Sequence, residues 1–495
     1  MELRIWMLDV AREQSPTLDH LYQYAALTQE AGFDALGLYL EHRYAYPSAP
    51  WAHGKGCVTP AMVRSLQSEY PSLKVVPFIN LLGHMEGFIY TEEGKRFREE
   101  PLAGMQACPC NPEFVALAER LLDDTLEAFT SDLVHIGGDE TWQLGKCEKC
   151  AAFDKAELYG RHFGPLAARV VAAGRTPAVW GDMFLEHPTA LDHLPKETVI
   201  FDWQYFKGVA ETAAGFAGFR VVGCPTLHVY NAAWCHLPQS EENVRQVFRD
   251  SQMLHGCCLT TWECGLMGAY DTLFPALRCA GALSRDPDGP GFLEAYSAVS
   301  DRHGEWAHLM GVDLNEVGGV FSFSGHRNKL KSRVLLYANP FLAWMHHGEE
   351  LSGGGGDAAL SIVERAEFVA PGEAEKGVCT AVRGMVEFVR LASDAAAAYA
   401  DGRPEEAIAK LTATRTVFDL LARAAKRTHE RTGGSLADIE RCKRAARHVD
   451  DVIVRLRDFG RGELGYLPAW EVLTHPTFVP HDQACWWLVN KWGRE

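Results

Sequence analysis

The stretch Leu133-Val-His-Ile-Gly-Gly-Asp-Glu-Thr-Trp142 decides the fold class of this 495-residue chain. It begins as a short apolar run, without the alternation of a half-exposed strand, and ends abruptly in glycine and acidic residues. Seven further short runs are also almost entirely apolar, at residues 3–8, 35–40, 74–80, 177–181, 198–203, 220–224 and 257–262. Such near-continuous apolar runs are typical of parallel strands that are buried on both faces.

Helical patterns fill the gaps between these runs, at residues 17–31, 59–70, 112–129, 156–173, 240–254 and 271–283. Strand–helix units repeated around eight strands predict an α/β fold with a closed parallel barrel, a (β/α)8 TIM barrel. A doubly wound open sheet is the alternative, and it is disfavoured because no GxGxxG follows the first run. We place the barrel domain at residues 1–335.

The alternation of apolar runs and helical patterns ends after about residue 330. The stretch Leu351-Ser-Gly-Gly-Gly-Gly-Asp357 predicts a flexible break, and helical patterns follow it at residues 374–400, 404–430 and 435–459. We therefore expect an α-helical C-terminal domain over residues 336–495. Two roles are open for it from the sequence: it could cover the barrel, or it could form a homodimer.

Composition and charge exclude several classes of protein. Lys and Arg number 48 against 65 Asp and Glu, and the formal net charge of −17 disfavours sequence-independent binding to nucleic acid. The first residues lack a basic region followed by a long apolar run, and no run reaches the length of a membrane span. We therefore expect a cytoplasmic protein with no membrane partner, unless a leader has been trimmed. In the cytoplasm the 14 cysteines would be reduced thiols or metal ligands.

Polar and aromatic residues gather where the predicted strands end. In a TIM barrel the active site lies at the carboxyl ends of the strands. The residues found there include Asp9, Arg12, Glu41, His84, Asp139, Glu140, Trp180, Asp182, Trp203, Tyr205, Tyr230, Asn231, Trp262 and Glu263. Aromatic faces stack on sugar rings, and carboxylates accept hydrogen bonds from hydroxyl groups. This combination therefore favours a carbohydrate-binding site.

The motif His135-x-Gly-Gly-Asp139-Glu140 resembles the signature of glycoside hydrolase family 20, the exo-β-N-acetylhexosaminidases. Two further motifs carry the resemblance in the family's order. One is Arg4-Ile-Trp-Met-Leu-Asp9-Val-Ala-Arg12, in which Ile5 replaces a glycine, and the other is Gly83-His84 after the third strand. The resemblance extends over the predicted barrel, to residue 285.

The resemblance implies an exo-acting retaining glycoside hydrolase in which the substrate's own 2-acetamido oxygen attacks the anomeric carbon. Asp139 would hold the acetamido group, Glu140 would protonate the leaving oxygen, and Tyr230 would hydrogen-bond the acetamido oxygen. The residues implied to form the substrate-binding site are Arg4, His84, His135, Trp180, Trp203, Tyr205, Asn231, Trp262 and Glu263, and among these His84 and His135 would orient the two acids. No cofactor is implied for catalysis. The ligand would be the terminal N-acetylhexosamine of an oligosaccharide or glycoconjugate.

Two positions depart from the family's pattern. Its Tyr-x-Asp after the seventh strand is here Tyr230-Asn231, and its Trp-x-Glu at the eighth strand is here Trp262-Glu263, one residue shorter. The family's acidic residues at these places read the sugar's O4 and O6. The change shifts our expectation towards a β-N-acetylgalactosaminidase, with a β-N-acetylglucosaminidase as the alternative.

Simpler interpretations of the same residues stay open. Asp139 and Glu140 could be a helix N-terminal pair favoured by the macrodipole, and Trp180, Trp203 and Trp262 could be barrel core. At the level of function, the chain could be a non-catalytic amino-sugar-binding protein on the same fold. It could also be a conventional two-carboxylate glycosidase with Glu263 as the nucleophile.

Four cysteines predict a metal site apart from this chemistry. Cys108-Pro-Cys110 lies in the loop after the third strand, and Cys147-Glu-Lys-Cys150 follows the fourth-strand motif. Since adjacent strands carry adjacent loops, the four thiols could meet around a structural Zn²⁺ in tetrahedral geometry. Free thiols or a redox pair are the alternatives.

Overall fold

The computed structural model describes residues 1–12, 14–101, 104–228, 234–262, 269–318, 321 and 341–464. The chain separates into two compact units. The first comprises Met1–Leu227, Gln239–Trp262 and Ala276–Gly291, and the second comprises His228–Pro238, Glu263–Pro275 and Phe292–Glu495. The domain boundary expected between residues 335 and 336 lies outside the described residues, so the division into 1–335 and 336–495 stays a prediction.

The first unit contains a closed barrel of parallel strands, as the sequence predicts. Its strands are β1 (Leu3–Asp9), β2 (Ala35–Tyr39), β3 (Lys74–Phe78), β4 (Leu133–His135), β5 (Thr176–Trp180), β6 (Val199–Trp203), β7 (Arg220–Cys224), β8 (Thr226–His228) and β9 (Gly256–Thr261). They pair in chain order up to β7, which pairs with β9, and β9 closes the ring against β1. The short β8, which follows β7 after Pro225, was not predicted.

Helices connect the strands of the barrel. They are α1 (Leu18–Ala31), α2 (Pro60–Glu69), α3 (Glu86–Ile89), α4 (Pro112–Ala128), α5 (Lys155–Ala172), α6 (Asp182–Glu186), α7 (Ala210–Ala213), α8 (Leu237–Ser251) and α9 (Phe274–Leu283). Short 3-10 helices occupy Glu41–Arg43, Lys95–Phe97, Pro188–His193, Ala214–Phe216 and Tyr270–Leu273. Local sequence sets the ends of α1, because Thr17 caps its first turn and Gly32, at a φ of 82°, ends it.

The alternation of side chains along a strand decides which of them fill the barrel. Ile5 and Met7 of β1 belong to the buried cluster inside the barrel, together with Phe78 and Phe201. Trp6 lies on the other face of β1 and packs edge-on against a tyrosine of α1. The parity of Ile5 and Met7 therefore continues to Asp9, which places that carboxylate inside the rim, at the carboxyl end of β1.

The second unit is helical, as expected of the C-terminal region. Its helices are α10 (Phe292–Val299), α11 (Asp301–His308), a π-helical turn at Leu309–Asp313, α12 (Leu314–Glu316), α13 (Phe341–Ser352), α14 (Gly354–Val369), α15 (Glu373–Ala400), α16 (Pro404–Thr432) and α17 (Leu436–Gly460). The apolar stripe of α15 is buried at Val382, Met385 and Val389. Within the described residues, no helix has the length and apolar character to span a membrane.

Candidate active site

A glycine turn at the end of β4 brings the two acidic residues to the rim of the barrel. Gly137 and Gly138 have φ values of 81° and 107°, which side chains rarely allow. A Cβ on Gly137 would lie 2.0 Å from Oδ1 of Asn80, which follows β3. Likewise, a Cβ on Gly83 would lie 2.4 Å from the carbonyl oxygen of Asp139. The glycines therefore let the loops after β3 and β4 pack backbone against backbone.

This close approach places both acidic side chains on one histidine. His84 Nε2 lies 3.3 Å from Asp139 Oδ2 and 3.1 Å from Glu140 Oε2. Burial by itself would lower the pKa of His84, but Asp139, Glu140 and Glu86 together raise it well above its ordinary value. The neighbouring acids therefore favour the protonated, cationic form of His84.

The two acids differ in exposure and in backbone support. Only 8% of the Asp139 side chain is exposed, against 26% for Glu140, so Glu140 is the acid that solvent or a leaving group can reach. The N–H of Glu140 donates a 2.9 Å hydrogen bond to Asp182 Oδ2, which fixes its backbone. Burial, and then the charge of Asp139, raise the pKa of Asp182 well above its ordinary value.

A second group of charges supports His84 from the β1 and β2 side. Arg12 lies 3.6 Å from Asp9 and 3.3 Å from Glu41, and Glu41 lies 3.7 Å from His84 Nδ1. Burial raises the pKa of Glu41 to about 7, with a further contribution from the charge of Glu86, while Arg12 and His84 oppose the rise. Ionisable groups thus continue from Asp9 to Glu140 along the rim.

Backbone strain concentrates at the same place. Among the described residues, the non-glycine residues with positive φ are Glu41 at 42°, His84 at 48° and Glu140 at 50°. Each carries a charged side chain of the site. Non-glycine residues in this left-handed region cost free energy and cluster at functional sites, where the surrounding structure holds them in place.

Aromatic side chains lie beside these ionisable groups at the rim. Trp262 Nε1 donates a 2.7 Å hydrogen bond to the hydroxyl of Tyr205, and the Trp203 ring lies 5.2 Å from that of Tyr205. Trp262 also packs edge-on against Tyr39, and Arg12 lies over both of these rings. Half-buried aromatic faces beside carboxylates and a guanidinium suit the apolar and hydroxyl faces of a sugar ring.

Trp180 and His135 lie deeper than the predicted site. Trp180 is fully buried within the barrel cluster, which agrees with the core interpretation of this residue. His135 is also fully buried, with its ring 4.5 Å from that of Phe78. Burial lowers the pKa of His135 well below its ordinary value, and its Nδ1 accepts a 3.1 Å hydrogen bond from the N–H of Gly137. The neutral imidazole therefore holds the turn that presents Asp139.

The structure does not bring Arg4 to this rim, which corrects the predicted sugar contact. Arg4 is the second residue of β1, opposite Cys257 near the start of β9, and its side chain pairs with Asp34, which precedes β2. It therefore lies at the amino end of the barrel, on the face of β1 that carries Trp6. The arginine at the carboxyl ends is Arg12. Tyr230, Asn231 and Glu263 lie outside the described residues, so their roles stay predictions.

Sequence reasoning assigned no role to Glu41, Glu86 or Asp182. The signal for Glu41 and Asp182 was their position directly after a predicted strand, which is where barrel active sites are built. Glu86 comes two residues after His84, and no comparable signal marks it. Its buried Oε2 has no hydrogen-bond partner within the described part of the chain.

The predicted cysteines also come together, in a cluster of their own. Cys108 Sγ lies 3.5 Å from Cys147 Sγ and 3.6 Å from Cys150 Sγ. Glu99, which the sequence did not single out, joins these three: one candidate ligand atom from each of the four residues lies within 4.8 Å of the others. Cys110 contacts Cys150 but does not belong to that group.

Comparison with known proteins gives a match to one family model, within the region predicted as the barrel. Residues 59–262 match the family model described as glycosyl hydrolase family 20, catalytic domain. The human protein named Hexosaminidase D is 26% identical over 253 residues, which make up 47% of this chain and 51% of the human protein. The chain thus spans about half the length of the curated relative that it matches.

Solved structures give matches of the same kind. A β-N-acetylhexosaminidase from Bacteroides fragilis is 18% identical, with a TM-score of 0.47 over 60% of this chain and 69% of that chain. An exo-β-N-acetylglucosaminidase from Vibrio harveyi, in complex with N-acetylglucosamine, is 15% identical, with a TM-score of 0.48 over 60% and 56%. A chitobiase from Flavobacterium johnsoniae is 13% identical, with a TM-score of 0.49 over 99% and 77%.

Proposed function

We propose, because the barrel of this chain resembles the catalytic domain of glycosyl hydrolase family 20, that the protein is an exo-acting β-N-acetylhexosaminidase. It would remove a terminal β-linked N-acetylhexosamine with retention of configuration. The observation that carries the proposal is the shared contact of Asp139 and Glu140 with His84 Nε2 at the carboxyl ends of the strands.

The arrangement of the two acids favours a nucleophile that belongs to the substrate. A conventional retaining glycosidase uses two carboxylates that flank the glycosidic bond from opposite sides. Asp139 and Glu140 are sequence neighbours that contact the same imidazole nitrogen, so they approach the sugar from one side. One of them can assist the 2-acetamido group while the other serves the leaving oxygen.

In the first step, the acetamido oxygen attacks the anomeric carbon and the bond to the leaving oxygen breaks. Asp139 accepts a hydrogen bond from the acetamido N–H and compensates the positive charge that develops on the ring. Glu140, which is the more exposed acid, gives its proton to the leaving oxygen. In the second step, Glu140 takes a proton from water and the water oxygen attacks the same carbon. The bond from that carbon to the acetamido oxygen breaks, which restores the acetamido group and releases the sugar.

The buried groups around the acids would keep this geometry in place during turnover. The charge of His84 balances that of Asp139, and Asp182 holds the backbone of Glu140. Trp203, Tyr205 and Trp262 offer aromatic faces to the sugar. Since hydrogen bonds and charges fixed before the reaction need no reorganisation, they stabilise the transition state more than solvent would.

Within this class we propose a preference for N-acetylgalactosamine. The support comes from the sequence, where Asn231 and Glu263 differ from the pattern that reads O4 and O6 in the family. A weakened contact to an equatorial O4 favours the sugar whose O4 is axial. A preference for N-acetylglucosamine is the alternative.

Parallel hydrolysis of aryl β-N-acetylgalactosaminide, β-N-acetylglucosaminide and β-glucoside tests the proposal. Hydrolysis of the two acetamido sugars, without hydrolysis of the glucoside, is the expected result, and the ratio of kcat/KM for the first two gives the specificity. Cleavage of the glucoside at a comparable rate would instead indicate a protein carboxylate as the nucleophile. Sugar binding without turnover would indicate a non-catalytic binding protein.

Two variants assign the roles of the acids. Glu140→Gln should lower kcat about 100- to 10,000-fold on poor leaving groups, and much less on activated aryl groups that need no proton. Asp139→Asn should lower kcat on both kinds of substrate, because the acetamido group is no longer oriented. Asp132→Asn, at a carboxylate that is 85% exposed, is the control and should behave like wild type. Wild-type rates in both active-site variants would overturn the assignment.

A further inference from the structure

Three thiols and one carboxylate converge outside the active site, between the loops that follow β3 and β4. Cys108 belongs to the first loop, and Cys147 and Cys150 belong to the second. Glu99 joins from the first loop, where its N–H donates to the Gln106 carbonyl oxygen in a short antiparallel pairing. Four candidate ligand atoms therefore meet from two separate loops.

The buried position of Glu99 needs a cationic partner. The residue is 1% exposed, and its oxygens accept hydrogen bonds from the N–H of Cys147 at 2.9 Å and from the thiol of Cys150 at 3.4 Å. Within the described part of the chain, no lysine or arginine forms an ion pair with Glu99. Buried carboxylates are retained in proteins when they are paired with a cation or bind a metal.

The spacing of the sulfur atoms fits a tetrahedral metal site. A Zn–S bond of about 2.3 Å places the sulfurs of such a site about 3.8 Å apart. Cys108 Sγ lies 3.5 Å from one partner sulfur and 3.6 Å from the other. A disulfide would require a separation of about 2.05 Å, and a disulfide between any two of these thiols would leave the third beside the buried carboxylate.

We propose that Cys108, Cys147, Cys150 and Glu99 bind one structural Zn²⁺ that ties the loop after β3 to the loop after β4. Three thiolates and a carboxylate form a closed ligand set with no position left for water or substrate, so the ion would stabilise and would not catalyse. Cys110, which the sequence also suggested as a ligand, contacts Cys150 but lies outside the set.

The position of this site gives it a stabilising role near the proposed catalytic acids. The β4 loop that carries Asp139 and Glu140 continues into Cys147, and Gln143 in between accepts a hydrogen bond from the N–H of Met105 in the β3 loop. Met105 in turn accepts one from the N–H of Met85, beside His84. The metal would therefore hold together the two loops whose contact places His84 on the acids.

Metal analysis of the purified full-length chain is the first test. We expect about one zinc ion per chain. Removal of the ion with a chelator should lower the thermal unfolding midpoint, and its return should restore it. Cobalt introduced in place of zinc should show the thiolate charge-transfer absorption of a tetrahedral site. These readouts are independent of glycoside hydrolysis, so they can succeed or fail whatever the protein's activity.

Four single variants assign the ligands. Glu99→Gln, which keeps the shape of the side chain, and Cys147→Ser should lose most of the bound zinc. Cys110→Ser should retain it, as should the matched control Cys279→Ser, which replaces a cysteine outside the cluster. If Cys147→Ser fails to fold, Glu99→Gln and the cobalt spectrum of the wild-type protein still give the answer.

Two outcomes would overturn the proposal. A folded wild-type protein without zinc, whose thermal midpoint does not respond to a chelator, would exclude the metal site. Loss of zinc in Cys110→Ser combined with retention in Glu99→Gln would show a four-cysteine site and overturn Glu99 as the ligand.

Discussion

Glu41 shows how burial and neighbouring charges set the chemistry of a single residue in this site. Its pKa is raised to about 7 by burial and by Glu86, against the opposing effects of Arg12 and His84. It also sits on left-handed backbone at a φ of 42°. A carboxyl group in this setting holds its proton across a pH range in which an exposed glutamate is ionised.

The contribution of Glu41 to the stability of the folded protein should therefore fall as the pH rises from 4.5 to about 7. In this interval folded Glu41 keeps a proton that the unfolded chain has lost, so deprotonation favours unfolding, by on the order of 1–3 kcal/mol. Glu41→Gln should flatten this part of the profile. The raised pKa of His84 also makes the stability fall as the pH rises above the ordinary pKa of a histidine. This contribution is present in both the wild-type protein and the Glu41→Gln variant.

Thermal midpoints measured across this pH interval check the prediction. Glu92→Gln is the matched control, because Glu92 is 85% exposed and pairs with Lys95. It should follow the wild-type profile. A profile for Glu41→Gln as steep as that of the wild type would show that the proton is not held by Glu41.

At the level of residues, the sequence predicts which acidic residues share a site better than it predicts how deeply a side chain is buried. The motif around Asp139 and Glu140 and the motif Gly83-His84 come together in the structure, where both acidic side chains contact His84. The prediction for Arg4 was wrong because a match between sequence motifs does not show where along the strand a residue lies. Arg4 lies at the amino end of β1 and faces outward. Trp180 could be read as pocket or core, and only packing across the barrel shows that it is core.

Among the elements, the turn after β4 has little room for an added side chain. The Cβ added by Gly137→Ala would lie 2.0 Å from Asn80 Oδ1 and 2.6 Å from the Ile79 carbonyl oxygen. Gly174 offers a matched control, because its φ of 75° is similar to the 81° of Gly137 and a Cβ there would meet nothing within 4 Å. The two substitutions therefore separate backbone strain from steric overlap.

Gly174→Ala should cost about 1–2 kcal/mol, from the left-handed backbone alone. Gly137→Ala should cost a further 1–3 kcal/mol or so, because the β3 and β4 loops must move apart. It should also lower kcat, since the same movement separates His84 from the acids. Unfolding free energies and rates measured on both variants check this, and equal losses in the two would argue against the close packing.

The periodicity of apolar residues predicted most strands and helices of the barrel. It did not predict elements that form only because they pack against a neighbour. The eight apolar runs became strands, while the short β8 (Thr226–His228) has no pattern of its own and depends on its neighbour β9 for pairing. The break expected at residues 351–357 is confined to Gly353, because α13 ends at Ser352 and α14 starts at Gly354. A Cβ on Gly356 would lie 2.0 Å from the Leu351 carbonyl oxygen. The absence of a side chain at this position therefore allows the close contact between the two residues.

Over the whole molecule, the chain passes between the two units more than once. His228–Pro238 and Glu263–Pro275 belong to the helical unit although barrel residues flank them in sequence. In that unit, Trp234 is 1% exposed, donates to the Thr272 hydroxyl and packs 4.5 Å from the ring of Trp306. A cut after residue 291 would keep Trp234 and remove Trp306.

A fragment of residues 1–291 should therefore be less stable than the full chain and expose apolar surface. We expect a lower thermal midpoint and stronger binding of a hydrophobic dye, because Trp234 loses its cover. The full-length Trp306→Ala variant, which removes the same ring contact without truncation, is the comparison. A fragment with the midpoint and dye binding of the full chain would show that Trp234 stays covered without Trp306.

Barrel closure also has a consequence for the order of events on the ribosome. The strand β1, which is made before the other strands of the barrel, pairs with β9, from Leu3 opposite Gly256 to Leu8 opposite Thr261. Some 250 residues must therefore be synthesised before the last edge of β1 is covered, which makes this a contact of very high sequence separation. Until then the nascent chain carries an open strand edge, and translation itself sets the earliest moment at which the ring can shut.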